Sequence, residues 1–309
     1  MNLKILDHFK SLDEKDFIIL SAIEELMVIH DTIKIEDIAK ISGFSQKYVN
    51  KKIGLLDKID ILSAHRIEDF YNTVDLNYMG FDALAINELV KKDVLQGIGN
   101  PIGIGKESNV FTGILSNENV CALKFHKIGK TKFKATKRKR DFFASKKHTS
   151  KLYESTINAK REVIALKKLA GIIPVPQVFG YNRHLIAMEL IDGVELQNIL
   201  DLSEDSYKNM YKELLGYIKT MVNFNVIHGD LSPFNILIRQ KNELPDVTII
   251  DWPQYLELTH PNALDALMMD VDNIFTFFNK KTSLEPLDVE KFSINLLREA
   301  KKNLYIGSQ

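Results

Sequence analysis

The stretch Val226–Ile238 reads "VIHGDLSPFNILI", a short polar island between two apolar runs. Gly, Asp, Ser, Pro and Asn are the usual turn formers, so an ordinary turn accounts for much of its composition. The island also carries His228, Asp230 and Asn235, whose side chains transfer protons or bind metal ions. It is therefore a candidate for chemistry as well as for a turn.

The spacing around the island matches a phosphoryl-transfer site. Four residues separate Asp230 from Asn235, as in the protein-kinase catalytic loop, where the Asp receives a hydroxyl proton and the Asn holds a metal ion. Sixteen residues further on, Asp251 follows an apolar run in "TIIDWPQ". A carboxylate in that setting needs a cation, and Mg²⁺ bridging nucleotide phosphates supplies one. The pattern predicts Asp230 as the base, with Asn235 and Asp251 as metal ligands.

A glycine-rich hairpin and a lysine lie upstream. In "IGIGKESNV", Gly103 and Gly105 let a strand tip approach a phosphate, although Ser108 stands where a third glycine would complete the common motif. A strand follows this tip, which disfavours a dinucleotide fold and favours the kinase hairpin. Lys124 in "CALKF" comes sixteen residues after Ser108, at the distance expected for a phosphate-binding lysine. The alternative is a solvent-facing strand lysine.

A carboxylate that orients such a lysine is present in the helical stretch "AKREVIALKKLAG". Glu162 shares one helix face with Leu166 and Leu169, so it can point inward with the apolar stripe. An exposed helix glutamate is the alternative. The sequence thus supplies a glycine hairpin, a lysine, a glutamate and the two aspartates with their asparagine in the order of a kinase.

The first 80 residues have a different texture. "FIILSAIEELMVI", "IEDIAKISGF" and "SQKYVNKKIGLLDKID" have helical spacing, and two β-leaning runs follow. We predict a winged helix whose third helix presents a row of lysines to nucleic-acid phosphates, namely Lys47, Lys51, Lys52 and Lys58. A solvated helix face, diluted by Asp57 and Asp60, remains the alternative.

A basic run separates the lysine strand from the glutamate helix. Residues 127–151 contain 11 Lys or Arg against one acid, with phenylalanines interleaved. Charge runs are usually solvated loops, but this one can neutralise phosphates and stack on unpaired bases. The candidate RNA-binding residues are Lys137, Arg138, Lys139 and Arg140, together with Lys47 and Lys51 of the winged helix.

Length and composition limit the classes of protein to which this chain can belong. The 309 residues have room for two domains, and 45% hydrophobic and 27% charged residues are typical of a globular protein. No apolar run is long enough to cross a bilayer, and the N-terminus carries acids where a secretory signal needs apolar residues. We expect an intracellular, cytoplasmic protein without a membrane partner.

Together these motifs resemble the Rio family of atypical serine protein kinases, and its second, winged-helix subfamily in particular. The resemblance rests on "GIGKESNVF", "HKIGKTKFK", "HGDLSPFN", "IDWPQ" and the N-terminal helices, and covers essentially the whole chain. It implies an α+β fold, in which a winged helix precedes a two-lobed kinase-like domain with a truncated C-lobe. The expected parts are a winged helix (1–80), a linker helix (81–97), an N-lobe (98–191) with the basic insertion (about 127–151), and a C-lobe (192–309).

The resemblance also implies roles for single residues. The cofactors would be ATP and Mg²⁺, with Mn²⁺ as a substitute. Asp230 would be the catalytic base, and Asp251 a metal ligand. In the ATPase cycle associated with the family, Asp251 would also become phosphorylated, and transfer to a serine is the alternative route. The residues expected around ATP are Gly103, Gly105, Lys106, Glu107 and Ser108 of the hairpin, Lys124 with Glu162 orienting it, Met188 behind the adenine, and the backbones of Glu189 and Ile191 at its edge.

Three departures from ordinary kinases stand out. Gly229 replaces the arginine that reads an activation-loop phosphate, "DWP" replaces D-F-G, and no A-P-E follows Asp251. The resemblance implies work in small ribosomal subunit maturation, with the precursor particle, its rRNA and assembly proteins as partners. A nucleotide-sensing module with negligible turnover, a winged-helix DNA-binding regulator with a degenerate kinase fold, and a small-molecule phosphotransferase remain the alternatives.

Overall fold

The chain divides into two compact units. The computed structural model describes residues 8–30, 32–67, 70–127, 147–199, 202–241 and 244–306. The first unit comprises Met1–Ala159 with Phe179–Ala187, and the second comprises Lys160–Val178 with Met188–Gln309. Within the described ranges, no helix combines the length and the apolar character that crossing a membrane requires.

The first unit opens with three helices and a hairpin: α1 (Glu14–Ile29), α2 (Ile35–Ser42), α3 (Gln46–Lys58), β1 (Leu62–Ile67) and β2 (Phe70–Leu76). Asp13 and Asp16 form a reciprocal capping box at the start of α1. Gly43 ends α2 in the left-handed region, at a φ of 75°. Strands β1 and β2 pair antiparallel beside the helices, so the predicted winged helix is confirmed.

Helix α4 (Tyr78–Lys91) connects the winged helix to a sheet within the same unit. The side chain of Asn77 caps it by accepting from the N–H groups of Met79 and Gly80. Phe81 and Leu84 belong to the apolar core of the winged helix, whereas Ile86 and Leu89 belong to that of the sheet. The bridging helix is therefore buried along most of its length.

Five strands form the main sheet: β3 (Leu95–Ile104), β4 (Ser108–Leu115), β5 (Val120–His126), β6 (Val178–Asn182) and β7 (Leu185–Glu189). Their spatial order is β3-β4-β5-β7-β6, and β3, β4 and β5 pair antiparallel. Phe111 and Phe125 pack edge to face in its core. This sheet carries the predicted glycine hairpin, between β3 and β4, and the predicted lysine, on β5.

The turn between β6 and β7 fastens the sheet to helices of the same unit. His184 Nε2 lies 2.7 Å from Asp82 Oδ1 of α4, and both side chains are buried. Phe81 stacks on the His184 ring at a centroid distance of 4.8 Å. Arg183 Nε donates to Glu24 of α1 at 2.7 Å. Two polar pairs thus fix the sheet against α1 and α4.

The second unit is mainly helical. Helix α5 (Lys147–Leu169) enters it at Lys160, and α7 packs against α6 and α8. The remaining elements are α6 (Glu204–Asn223), α7 (Ala263–Asn279), α8 (Val289–Ile306), β8 (Val194–Glu195), β9 (Ile236–Lys241), β10 (Leu244–Ile249), and 3₁₀ turns at Leu196–Asn198 and Pro233–Asn235. Strands pair in the order β10-β9-β8. This unit contains the predicted C-lobe (192–309) together with residues 160–178 and 188–191, which the sequence had assigned to the N-lobe.

The lysine row of α3 needs one correction. Lys47 and Lys51 are exposed, as predicted. Lys52 Nζ instead lies 2.9 Å from Asp13 Oδ2 and 2.8 Å from Asp16 Oδ1. Its hydrogen bond is the main cause that lowers the pKa of Asp13. Lys52 is an internal partner of α1, so the prediction that it meets phosphates is wrong.

Most of the basic insertion lies outside the described residues. The predicted RNA-binding residues Lys137, Arg138, Lys139 and Arg140 are among residues 128–146, for which no structure is described. Their role stays a prediction from the sequence.

Candidate functional site

The predicted catalytic loop of the second unit is held at both ends by backbone hydrogen bonds. Ile227 and Leu256 exchange N–H···O bonds of 2.8 Å each. At the other end, the N–H of Ile250 donates to the Asn235 carbonyl at 2.9 Å. The loop therefore runs beside the segment that carries Asp251, so the sequence-distant polar motifs are neighbours.

Gly229 has a conformation that only glycine adopts without strain. Its φ is +79°, and a Cβ atom there would lie 2.6 Å from the carbonyl oxygen of Gln254. Any side chain would need a shift of the backbone on both sides. The glycine that replaces the kinase arginine is therefore required by the path of this loop.

The buried carboxylate of Asp270, on α7, fixes the loop around Asp230. Its Oδ2 accepts from the N–H of Gly229 at 2.9 Å, and its Oδ1 accepts from the N–H of Leu231 at 2.8 Å. Asn273, one turn further along α7, donates to the Leu231 carbonyl at 2.9 Å. The backbone on both sides of Asp230 is thus bound to one helix.

Burial also changes the acidity of this carboxyl group. It raises the pKa of Asp270 to about 7, from an ordinary value of 3.8, although the hydrogen bonds from Gly229 and Leu231 act to lower it. The nearby Asp230 raises it further, since two adjacent negative charges repel.

Asn235 faces back toward the base. Its Nδ2 donates to the carbonyl of Asp230 at 2.8 Å, which fixes the orientation of the amide. The amide oxygen is then the atom available to a cation, and carbonyl oxygens are ligands that Mg²⁺ accepts. Gln254 Nε2 lies 3.4 Å from Asp230 Oδ2, so a second amide contacts the candidate base itself.

Asp251 stands in a left-handed backbone conformation, at a φ of 70°. Such conformations cost free energy in non-glycine residues and persist where neighbours enforce them. The fully buried Trp252 is that neighbour: its backbone N–H donates to Glu162 Oε1 at 3.3 Å, and its Nε1 donates to the Ile249 carbonyl at 3.1 Å. His228 packs on the same ring, with centroids 4.4 Å apart.

Glu162 points inward, as its helical spacing predicted. It is buried with Leu166 and Leu169 on one face of α5. Its bond to the Trp252 N–H links α5 to the Asp251 segment within the second unit. The sequence had suggested a bond to a lysine, which stays a prediction, and the structure shows this bond to the Trp252 N–H.

The predicted adenine-edge residues lie at the end of β7, also in the second unit. Met188 is buried, and the N–H of Glu189 donates to the Gln177 carbonyl at 2.8 Å. The Ile191 carbonyl accepts from the N–H of Gly193 at 3.1 Å. These bonds occupy the Glu189 N–H and the Ile191 carbonyl. The contacts of the Glu189 carbonyl and the Ile191 N–H with the edge of the adenine stay a prediction.

The first unit carries the predicted phosphate-binding residues. Lys124 is buried on β5, in register with Val110 of β4. The tip of the hairpin closes through a bond of 2.9 Å from the Gly105 N–H to the Ser108 carbonyl. Lys127 stabilises the same tip. Its Nζ donates to the Gly105 carbonyl at 3.0 Å, and its backbone N–H donates to the Glu107 carbonyl at 2.7 Å. Lys106 is exposed, and a Cβ atom at Gly103 would lie 3.9 Å from the Val110 Cβ, an ordinary van der Waals contact.

The donor set fits a metal ion that shares its ligands with phosphates. No group of three or more His, Cys, Asp or Glu side chains suited to a metal occurs in the part of the chain that the structure describes. Asn235 and Asp251 offer two oxygen ligands, the number and type that Mg²⁺ commonly takes from protein in nucleotide sites.

Sequence reasoning missed Asp270, Asn273 and Gln254. Asp270 had a readable signal, because it lies among the apolar residues of α7, between Leu267 and Ile274. A carboxylate on a buried helix face must have partners. The other two contact the loop from sequence-distant positions and carry no comparable signal.

Comparison with known proteins adds family evidence. The family model described as the RIO domain matches residues 109–292, and the model described as Rio2, N-terminal matches residues 9–92. The RIO-type serine/threonine-protein kinase Rio2 of Methanocaldococcus jannaschii is 37% identical over 269 residues, which are 85% of this chain and 96% of that protein. The serine/threonine-protein kinase RIO2 of Saccharomyces cerevisiae is 31% identical, over 92% of this chain and 69% of the yeast protein.

The chain also resembles solved structures. The Rio2 kinase–ADP/Mg²⁺–phosphoaspartate complex from Chaetomium thermophilum superposes with a TM-score of 0.81 at 27% identity, covering 94% of this chain and 88% of that one. Some relatives are longer, since the chain spans 52% of the Caenorhabditis elegans protein.

Replacing Asp270 tests how the loop is held. Asp270→Asn leaves one side-chain oxygen where two now accept, so the N–H of Gly229 or Leu231 loses its partner. A buried donor without an acceptor costs about 1–3 kcal/mol, so the free energy of unfolding should fall by that amount. Urea unfolding measures this fall.

The same variant has a pH signature. The pKa of Asp270 is about 7 in the folded protein, above the ordinary value of 3.8 expected in the unfolded chain. The stabilisation from its protonated form is therefore complete below pH 3.8 and is lost as the pH rises through about 7. The destabilisation by Asp270→Asn should therefore be larger at about pH 5 than at about pH 8. Asp265→Asn, exposed on the same helix, should change stability little at either pH. If Asp270→Asn lowered the free energy of unfolding equally at both pH values, the raised pKa of Asp270 would be contradicted.

Proposed function

We propose that this chain, which belongs to the Rio2 branch of the RIO family of serine/threonine-protein kinases, binds ATP with Mg²⁺ and transfers its γ-phosphoryl group. The observation that carries this proposal is the fixed catalytic loop of the second unit. Asp270 holds the backbone on both sides of Asp230, and Asn235 hydrogen-bonds to Asp230 itself. Positioned groups of this kind are the main source of catalysis in phosphoryl transfer.

The residues that the family pattern assigns to the nucleotide would bind it as follows. Lys124 would contact the phosphates, and the hairpin backbone from Gly103 to Ser108 would cover them. Met188 would lie behind the adenine, while the Glu189 carbonyl and the Ile191 N–H would bond its edge. The glycines support this assignment, since backbone N–H groups approach a phosphate only where no side chain intervenes.

Asn235 and Asp251 would hold Mg²⁺, which neutralises phosphate charge and orients the γ-phosphoryl group when bound. Asp230 would accept the proton of the attacking hydroxyl group. The oxygen of that group then bonds to phosphorus while the bond from phosphorus to the leaving ADP oxygen breaks. The 3.4 Å contact from Gln254 would keep the Asp230 carboxylate turned toward the acceptor.

A second candidate reaction is ATP hydrolysis through Asp251 itself. The complex from Chaetomium thermophilum contains a phosphoaspartate. In this chain, a carboxylate oxygen of Asp251 would attack the γ-phosphorus, ADP would leave, and water would then hydrolyse the acyl phosphate. The buried Trp252 supports this reading, because it fixes the strained backbone of Asp251 and so limits the freedom of the carboxylate.

Chemical stability of the phosphorylated protein separates the two routes. After incubation with Mg²⁺ and radiolabelled ATP, an acyl phosphate on Asp251 is cleaved by hydroxylamine, whereas phosphoserine is not. We expect a hydroxylamine-labile label in the wild type and none in Asp251→Asn. Asp230→Asn should lower the stable, seryl label by about 10²–10⁴.

Asp205→Asn, at an exposed position on α6, provides the matched control and should retain both labels. A wild-type label that resists hydroxylamine entirely would contradict the aspartyl route. An unchanged seryl label in Asp230→Asn would contradict the assignment of the base.

The cellular task that fits best is maturation of the small ribosomal subunit, in the cytoplasm, with the precursor particle and its rRNA as partners. The charge of residues 127–151 supports RNA contact, as do the exposed Lys47 and Lys51 of α3. A DNA-binding regulator with a degenerate kinase fold is a weaker fit, since the catalytic loop keeps the base, the asparagine and a buried brace. A module with negligible turnover would show no acyl or seryl label.

Neutralising the insertion tests the RNA contact. Replacing Lys137, Arg138, Lys139 and Arg140 with alanine should weaken binding to small-subunit rRNA and reduce its salt dependence, by up to about three in log–log slope for single-stranded contacts. Filter binding across a salt series measures both. A control that replaces four lysines elsewhere, Lys91, Lys92, Lys301 and Lys302, should keep the slope. Equal slopes in the two variants would contradict insertion-specific contact.

A further inference from the structure

A cavity of about 350 Å³ in the second unit lies directly beside the candidate catalytic loop. Ser232, Pro233 and Phe234 of the loop form one wall. The C-terminal half of α7 and the residues after it form another, with Phe277, Lys280 and Lys281. None of these residues has a role in the nucleotide site proposed above.

Phe234 is the apolar feature of this cavity. It lies four residues after Asp230 and is 57% exposed. Exposed phenylalanines are common on their own, but this one lines a concave site next to the candidate base. Phe277, which is largely buried, extends the apolar lining below it. A ligand side chain placed between them would remove apolar surface from water, which favours binding.

The charge of the cavity is positive on balance. Lys280 and Lys281 are both exposed, and within the described ranges neither forms an ion pair. Lys281 Nζ lies 6.0 Å from the centre of the Phe277 ring, so its charge is at the cavity wall. Asp272, the acid that also lines the cavity, is eight residues before Lys280 on the helix, about 12 Å along its axis.

The cavity is within reach of a segment whose hydroxyl group occupies the site at Asp230. Its wall begins at Ser232, two residues further along the loop. An extended chain advances about 3.3 Å per residue, so a side chain two or three positions from the acceptor spans roughly 7–10 Å. The volume suits one or two side chains, whereas single-stranded RNA needs a groove that follows several phosphates.

We infer that this cavity docks the polypeptide segment that flanks the phosphorylated hydroxyl group, and that it selects an acidic residue next to an apolar one. The acidic side chain pairs with Lys280 and Lys281, and the apolar one packs on Phe234. This inference rests on the proposed kinase function and names the class of acceptor that the site prefers.

Peptide binding tests the inference without depending on turnover. Three fluorescent peptides share one serine and one nearby leucine, and carry Glu, Gln or Lys at the positions two and three residues from the serine. Anisotropy on the full chain should show the Glu peptide binding about five- to tenfold more tightly than the Gln peptide, and the Lys peptide most weakly. Added salt should reduce this preference.

Charge reversal supplies the decisive comparison. Lys280→Glu with Lys281→Glu should abolish the preference for the Glu peptide or invert it. Lys301→Glu with Lys302→Glu makes the same change in net charge at exposed positions of α8, and should keep the preference. Phe234→Ala should weaken the binding of all three peptides by the same factor. Equal affinities in the wild type, or a preference that survives reversal at Lys280 and Lys281, would overturn the inference.

A parallel assay separates this inference from the proposed function. Charge-selective binding without phosphate transfer from ATP to the serine would keep the docking cavity and contradict the kinase reaction on peptides. Transfer without any charge preference would keep the kinase and overturn the cavity. Displacement of the Glu peptide by a short oligouridylate, lost on reversal of Lys280 and Lys281, would assign the cavity to RNA and overturn its assignment to a polypeptide.

Discussion

Two hydrogen bonds from backbone N–H groups to the buried carboxylate of Asp270 hold the rest of this site in place. Asp270 accepts from the residues before and after Asp230, so the candidate base projects from a backbone that is fixed on both sides. Only glycine fits at position 229, because the left-handed conformation there and the nearby Gln254 carbonyl leave no room for a side chain. The loss of the usual kinase arginine is therefore also a steric requirement of this loop.

The Asp251 segment depends on a second buried contact. Trp252 is fully buried, and its two N–H groups are bonded to Glu162 and Ile249. This packing holds Asp251 at a positive φ, a conformation that an unpacked segment would not keep because it costs free energy. A kinase with a mobile metal motif can be switched by moving it. Here the motif is anchored in the core of its unit.

The sequence predicted the features that depend on local pattern or fixed spacing. Helical periodicity located the winged helix, glycines marked the hairpin, and spacing placed Asp230 and Asn235 on one loop beside the Asp251 segment. The metal-binding role of Asn235 and Asp251 stays a prediction. Prediction failed where partners lie far apart in the chain. Lys52 looked like part of a lysine row because its partners, Asp13 and Asp16, belong to another helix. The cavity beside Phe234 could not be predicted either, since its walls come from a loop and a helix end that only the fold brings together.

The central claim is that Asn235 and Asp251 bind the metal ion that accompanies the nucleotide. Calorimetric titration with a non-hydrolysable ATP analogue, with and without Mg²⁺, tests it most directly. Mg²⁺ should tighten nucleotide binding to the wild type by about tenfold or more, a gain of at least about 1.4 kcal/mol. Asn235→Ala combined with Asp251→Ala should bind the analogue equally well with and without the metal. If Mg²⁺ tightened binding to that variant as much as to the wild type, the metal would be held elsewhere and the account would be wrong.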